Sequence, residues 1–75
     1  MKTEDLKRLL FRDRREQLGL KQRDFEERVG WRNNALSLIE NGTIRPEESQ
    51  WNEMFAELEK AEAERGRVAE KALAS

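Results

Sequence analysis

Apolar residues recur along most of this chain at three- and four-residue steps, the period of helices that pack one face against a core. Leu6, Leu10, Phe11 and Leu18 supply the inward positions of a first helix expected over residues 4–18. Thr3 fits its N-cap, Glu4 and Asp5 place carboxylates where the helix dipole favours them, and Gly19 stands where the helix stops. Phe25 and Val29, four apart, predict a second helix over 22–29; Leu36 and Ile39, three apart, predict a third over 33–41. Gly30 lies between the two, where a positive φ is usually needed, and Gly42 ends the third helix after Asn41.

A short loop over 43–45 follows. Pro46 suits the first turn of a fourth helix, where its missing amide is not needed, and Glu47 and Glu48 strengthen that start. Trp51, Met54, Phe55 and Leu58 continue the helical spacing, which persists through Ala61, Arg65, Val68 and Ala72. The segment reads as one helix or two, with Gly66 the expected break. Beyond about residue 58 the apolar face shrinks to Ala and Val. The pattern therefore predicts one all-α domain over 1–75, a four- or five-helix bundle with its core at about 4–58 and a C-terminal helical extension at about 59–75. Trp51, Met54, Phe55, Leu58, Ala61 and Val68 offer more apolar face than a small monomer is expected to cover, which makes them the expected homodimer surface.

Composition narrows the chemistry. The 75 residues are 36% apolar and 41% charged, which suits a thin helical core under a charged exterior. The longest apolar run, Leu9-Leu10-Phe11, is far short of a membrane span or signal-peptide core, so a cytoplasmic protein with no membrane partner is expected. With no cysteine and no histidine, disulfides, zinc fingers, thiolate nucleophiles and imidazole bases are excluded. Glu47 with Glu48, and Glu62 with Glu64, lie in charge-rich amphipathic segments and read as solvated faces, not acid/base pairs. No glycine-rich phosphate loop occurs. The expectation is a non-enzyme needing no cofactor and no small-molecule ligand.

The net charge of −1 is unevenly spread. Residues 1–45 hold eleven Lys plus Arg against eight Asp plus Glu, a balance of +3, whereas 46–75 hold four against eight, a balance of −4. The basic half contains the second and third helices. A molecule with one weakly basic and one acidic end follows.

Residues 20–42 thus read as helix, turn, helix. Gln22 opening the second helix, Phe25, Gly30, Trp31, Leu36 and the closing Ile39-Glu40-Asn41-Gly42 stand in register over about twenty positions. Together they resemble the helix-turn-helix of the phage repressor and Cro (XRE-like) family, a similarity that covers roughly residues 6–58 and implies a lambda-repressor-like fold. It implies a double-stranded DNA partner and a transcriptional regulator, a small repressor binding a palindromic operator as a dimer. Base reading is expected from Arg32, Asn33, Asn34, Ser37 and Leu38 on the start and outer face of the third helix, where Asn pairs with adenine, Arg with guanine and Leu touches a thymine methyl. The reading for Asn33 and Asn34 as caps of that helix stays open beside it. Phosphate contacts are expected from Gln22 at the second helix's N-terminus and from Lys21, Arg23, Asn41, Thr43 and Arg45, through side chains and loop amides. Arg15 and Glu40 match family positions that form a buried ion pair between the first and third helices.

Three positions depart from the family. Glu26 replaces a small residue, often Ala, where the two helices pass closely, so its carboxylate is expected to reach outward or the crossing to open. Lys21 and Arg32 replace the hydroxyl residues that commonly cap helices two and three, at about 1 kcal/mol of capping each or a shifted start. The main alternative is a protein-interaction module that keeps this fold without binding DNA, for which the acidic second half speaks.

Overall fold

The computed structural model describes the backbone of residues 3–74 and the side chains of 3–66. Four helices follow in order: α1 (Thr3–Gln17), α2 (Gln22–Val29), α3 (Ala35–Glu40) and α4 (Glu48–Ala74). No strand occurs among the described residues, and no helix among them is long and apolar enough to cross a membrane.

The turn between α2 and α3 follows from Gly30. It adopts φ +73°, and the following N–H, of Trp31, donates to the Glu26 carbonyl at 2.8 Å, closing the end of α2. A Cβ at Gly30 would meet no atom within 4 Å, so the left-handed backbone and not crowding requires glycine. Although Lys21 has no side-chain acceptor to offer as a cap, the Asp24 carboxylate accepts the Lys21 N–H at 3.2 Å, half of a capping box. α3 begins two residues later than the periodicity predicts, because Asn34 takes a left-handed conformation (φ +72°) that a helix cannot include.

α4 is one continuous helix. Gly66 does not interrupt it, since a helical glycine costs only about 0.5–1 kcal/mol relative to alanine. The helix starts at Glu48, not at Pro46: the Gln50 side-chain oxygen accepts the Glu47 N–H at 3.1 Å, and Pro46 is buried just outside.

Phe11 is the hub of the core. Its ring meets Phe25 edge-on at 5.1 Å, Phe55 at 5.6 Å and Trp51 at 6.2 Å, so α1, α2 and α4 close on one side chain. Leu36 and Ile39 of α3 complete the cluster with Met54 and Leu58. Two sequence expectations are corrected here. Leu6 and Leu10 do not face inward; they are 49% and 48% exposed, as Leu9 is at 52%, because Phe11, Arg15 and Leu18 define the buried side of α1. Leu10 lies about 100° round the helix from Phe11. Trp51, Met54, Leu58 and Ala61 are already buried within one chain, with Phe55 packed against them, so they do not form a free dimer surface. The Val68 side chain, also expected there, lies outside the described residues.

The stretch of α4 beyond Leu58 is held by charge. Arg14 of α1 pairs with Glu62, and its guanidinium sits 5.6 Å from the Phe55 ring centre. Arg28 of α2 reaches Glu57 at 3.2 Å and both oxygens of Glu64 at 2.9 and 3.2 Å, contacts that raise its pKa, the Glu64 hydrogen bond most. Arg65 donates to the Gln17 carbonyl at the end of α1 at 2.9 Å.

Candidate nucleic-acid interface

One buried carboxylate ties α1, α2 and α3 together. Arg15 of α1 donates to both oxygens of Glu40 at 2.8 and 3.0 Å, and through its remaining terminal nitrogen to the Leu20 carbonyl at 2.7 Å. The two side chains are 9% and 6% exposed, so each charge is compensated almost out of water. Gln22, the first residue of α2, adds a third donor to Glu40 at 3.1 Å.

Two shallow clefts open beside this anchor. One, of about 320 Å³, is lined by Gln22, Arg23, Glu26, Asn33 and Asn34; the other, of about 360 Å³, has Arg12, Gln22, Ser37 and Asn41 on its walls above the Arg15–Glu40 pair. Gln22 belongs to both. The clefts thus adjoin at Gln22 and together are the polar groove of this face, one part beside the turn and the other beside α3.

The groove gathers some expected residues and leaves others out. Gln22, Arg23, Asn33, Asn34, Ser37 and Asn41 share it. Arg32 instead lines a separate, mostly apolar cleft of about 230 Å³ with Trp31, Ile44 and Pro46. Leu38 lines neither part of the groove, and its carbonyl accepts the N–H groups of Thr43 and Ile44 at 2.9 and 3.1 Å. Those loop amides are turned inward, contrary to the expectation that they face a phosphate. The Asn41 side-chain oxygen accepts the same Thr43 N–H at 2.9 Å. Lys21, Thr43 and Arg45 are exposed at the margins, with Arg45 4.0 Å from Glu4.

Neither Asn33 nor Asn34 caps α3 by its side chain. Asn34 occupies the cap position without a side-chain bond, and the N–H of Leu36, second in α3, donates instead to the Glu26 carboxylate at 2.9 Å. Glu26 is 4% exposed. Its carboxylate turns inward, correcting the expectation that it reaches outward, because α3 has a donor there that no neighbouring side chain accepts.

Pattern reading missed Glu26 as a cap and Arg12 as a groove residue. Their sequence signals are weak but real: Gln22 and Glu26 are four apart on one face of α2, and Arg12 stands one turn before Arg15. Arg12 donates to Glu16 at 3.0 Å, a contact that raises its pKa.

A family model described as a helix-turn-helix domain matches residues 8–68. The chain belongs to this helix-turn-helix domain family. No curated protein and no solved structure matches it. The matched region takes in α1 from Arg8, the whole groove and most of α4, so the Arg15–Glu40 anchor and the aromatic core are parts of the helix-turn-helix domain itself. A helix-turn-helix domain points in general to a DNA-binding regulator.

Proposed function

We propose that this helix-turn-helix protein is a sequence-specific transcriptional regulator, a small repressor of the phage repressor and Cro (XRE-like) type that binds a palindromic operator as a dimer. The observation that carries this reading is the pair of polar clefts adjoining at Gln22, which bring residues of two chemistries to one face. Asn33 and Asn34 carry amides suited to adenine in one cleft, and Ser37 adds a hydroxyl in the other. Arg23 and Arg12 flank these with guanidinium groups suited to phosphate. Gln22 keeps a second amide N–H beyond the one given to Glu40. Lys21, Thr43 and Arg45 extend the cationic and polar margin, while Arg32 stands in the neighbouring apolar cleft with Trp31.

Repression would be steric, with each subunit laying α3 in one major groove and the two recognition helices about 34 Å apart. Since Trp51, Met54 and Leu58 lie in the core, the two-fold contact falls on other surface. Selection of bound fragments from a random duplex pool tests the reading. Enrichment of a palindrome is expected; a pool that stays random contradicts it.

The second reading, a helix-turn-helix module that binds protein instead of DNA, is favoured by one observation. Leu6, Leu9 and Leu10 form a half-exposed apolar stripe on α1. Titration of fluorescent non-specific duplex at low salt separates the two, because the protein-only module binds none.

A further inference from the structure

We infer that Glu26 is a positioning residue for sequence reading: by capping α3 from α2, its carboxylate sets the Asn33–Asn34 turn against Gln22 and Arg23. The inference rests on the DNA-binding reading and deepens it. The first backbone amides of a helix need acceptors from outside it, and a neighbouring side chain in extended conformation normally provides one. Here the residue in that place, Asn34, is held at φ +72° and makes no side-chain bond. Leu36 is itself fully buried, so its amide has no route to water. Among the described residues, the acceptor for that amide is the Glu26 carboxylate, ten residues earlier and 2.9 Å away.

The location of this bond gives it a role beyond stability. Glu26 lines the same cleft as Gln22, Arg23, Asn33 and Asn34. Gln22 and Glu26 are one helical turn apart on α2, so the residues that anchor to phosphate and those that read bases are linked by the Glu26–Leu36 bond, beside the Gln22–Glu40 bond that also joins α2 to α3. Without the Glu26–Leu36 bond the turn can shift relative to α2. Base contacts tolerate such a shift less than phosphate contacts, because a bidentate amide–adenine pair requires both bonds at once.

The test compares wild type, Glu26→Ala and Glu26→Gln. Alanine is the residue similar helix-turn-helix sequences often keep here, and glutamine retains an acceptor oxygen of nearly the same reach. Two quantities are measured: hydrogen exchange of the Leu36 amide in the free protein, and affinity for the duplex selected from a random pool relative to a scrambled duplex. Glu26→Ala is expected to speed Leu36 exchange at least tenfold over its unfolding-corrected value and to lose about tenfold of the preference, while affinity for scrambled duplex changes less than about threefold. Glu26→Gln is expected to stay within about threefold of wild type in both. Should Glu26→Ala not fold, Glu26→Leu, of similar volume but without an acceptor, takes its place. Unchanged preference in the acceptor-free variant overturns the inference, as does Glu26→Gln behaving like Glu26→Ala. A wild type that binds no duplex overturns the DNA-binding reading and the specificity role with it, whereas the exchange comparison still decides whether Glu26 caps α3.

Discussion

Arg15 and Glu40 illustrate how much one side chain can hold in so small a core. Removing Glu40 leaves a guanidinium 9% exposed with the Leu20 carbonyl and a distant, half-exposed Glu16 carboxylate at 4.0 Å as partners, and releases Gln22 as well. Glu40→Ala is expected to cost about 3–5 kcal/mol, read as a lower denaturation midpoint in urea. Replacing both charges by apolar residues of similar volume is expected to cost less than the two single losses together, since neither charge is then stranded. An unchanged midpoint in Glu40→Ala would sink this assignment. The pair was legible because both residues match family positions for such a pair, a reading supported by the apolar positions beside them, Phe11 for Arg15 and Leu36 and Ile39 for Glu40. Glu26 was not legible: nothing local says that a carboxylate on one helix answers the missing cap of the next, because that bond spans ten residues and exists only once α2 and α3 have crossed.

At the scale of elements, the glycines separate two kinds of position. Gly30 is left-handed with open space around it, so Gly30→Ala is expected to destabilise by about 1–2 kcal/mol through backbone conformation alone. Gly66 is helical and equally uncrowded. Gly66→Ala is therefore expected to stabilise by about 0.5–1 kcal/mol, seen as a higher melting temperature and more helical circular dichroism. Destabilisation by that substitution would mean that α4 breaks at Gly66. Periodicity located α2 and the body of α4 closely, because Phe25, Trp51, Met54 and Leu58 each mark a buried face. It failed on α1, where Leu6, Leu9, Leu10 and Phe11 spread over more than half the circumference and spacing alone cannot tell which arc meets a neighbour. It also placed the start of α3 two residues early, since Asn tolerates the left-handed conformation but only the packing of the turn selects it at Asn34. That conformation makes Asn34→Ala ambiguous as a probe of DNA reading, because it adds backbone strain; Asn33→Ala carries no such penalty.

For the whole molecule, the acidic second half is reconciled with DNA binding by where its charges are used. Glu57, Glu62 and Glu64 of α4 pair with Arg28 and Arg14 on the sides of α1 and α2, while Arg12 and Arg23 line the groove. Amount of apolar sequence also misled at this scale. Residues that looked surplus to one chain, Trp51 and Met54 above all, are what a bundle centred on Phe11 needs, so a dimer must use other surface. A mass of two chains at tens of micromolar in sedimentation is expected from the repressor reading, and a monomer at that concentration contradicts its two-fold operator. The central claim, that this groove reads DNA, is tested most directly by the affinities of wild type, Asn33→Ala and Arg23→Ala for selected and scrambled duplexes at several salt concentrations. Asn33→Ala is expected to lose about 1–3 kcal/mol on the selected duplex and little on the scrambled one, whereas Arg23→Ala weakens both alike and lowers the salt slope by about one. Wild-type affinity that ignores salt, or a preference for the selected duplex left intact in Asn33→Ala, would contradict it.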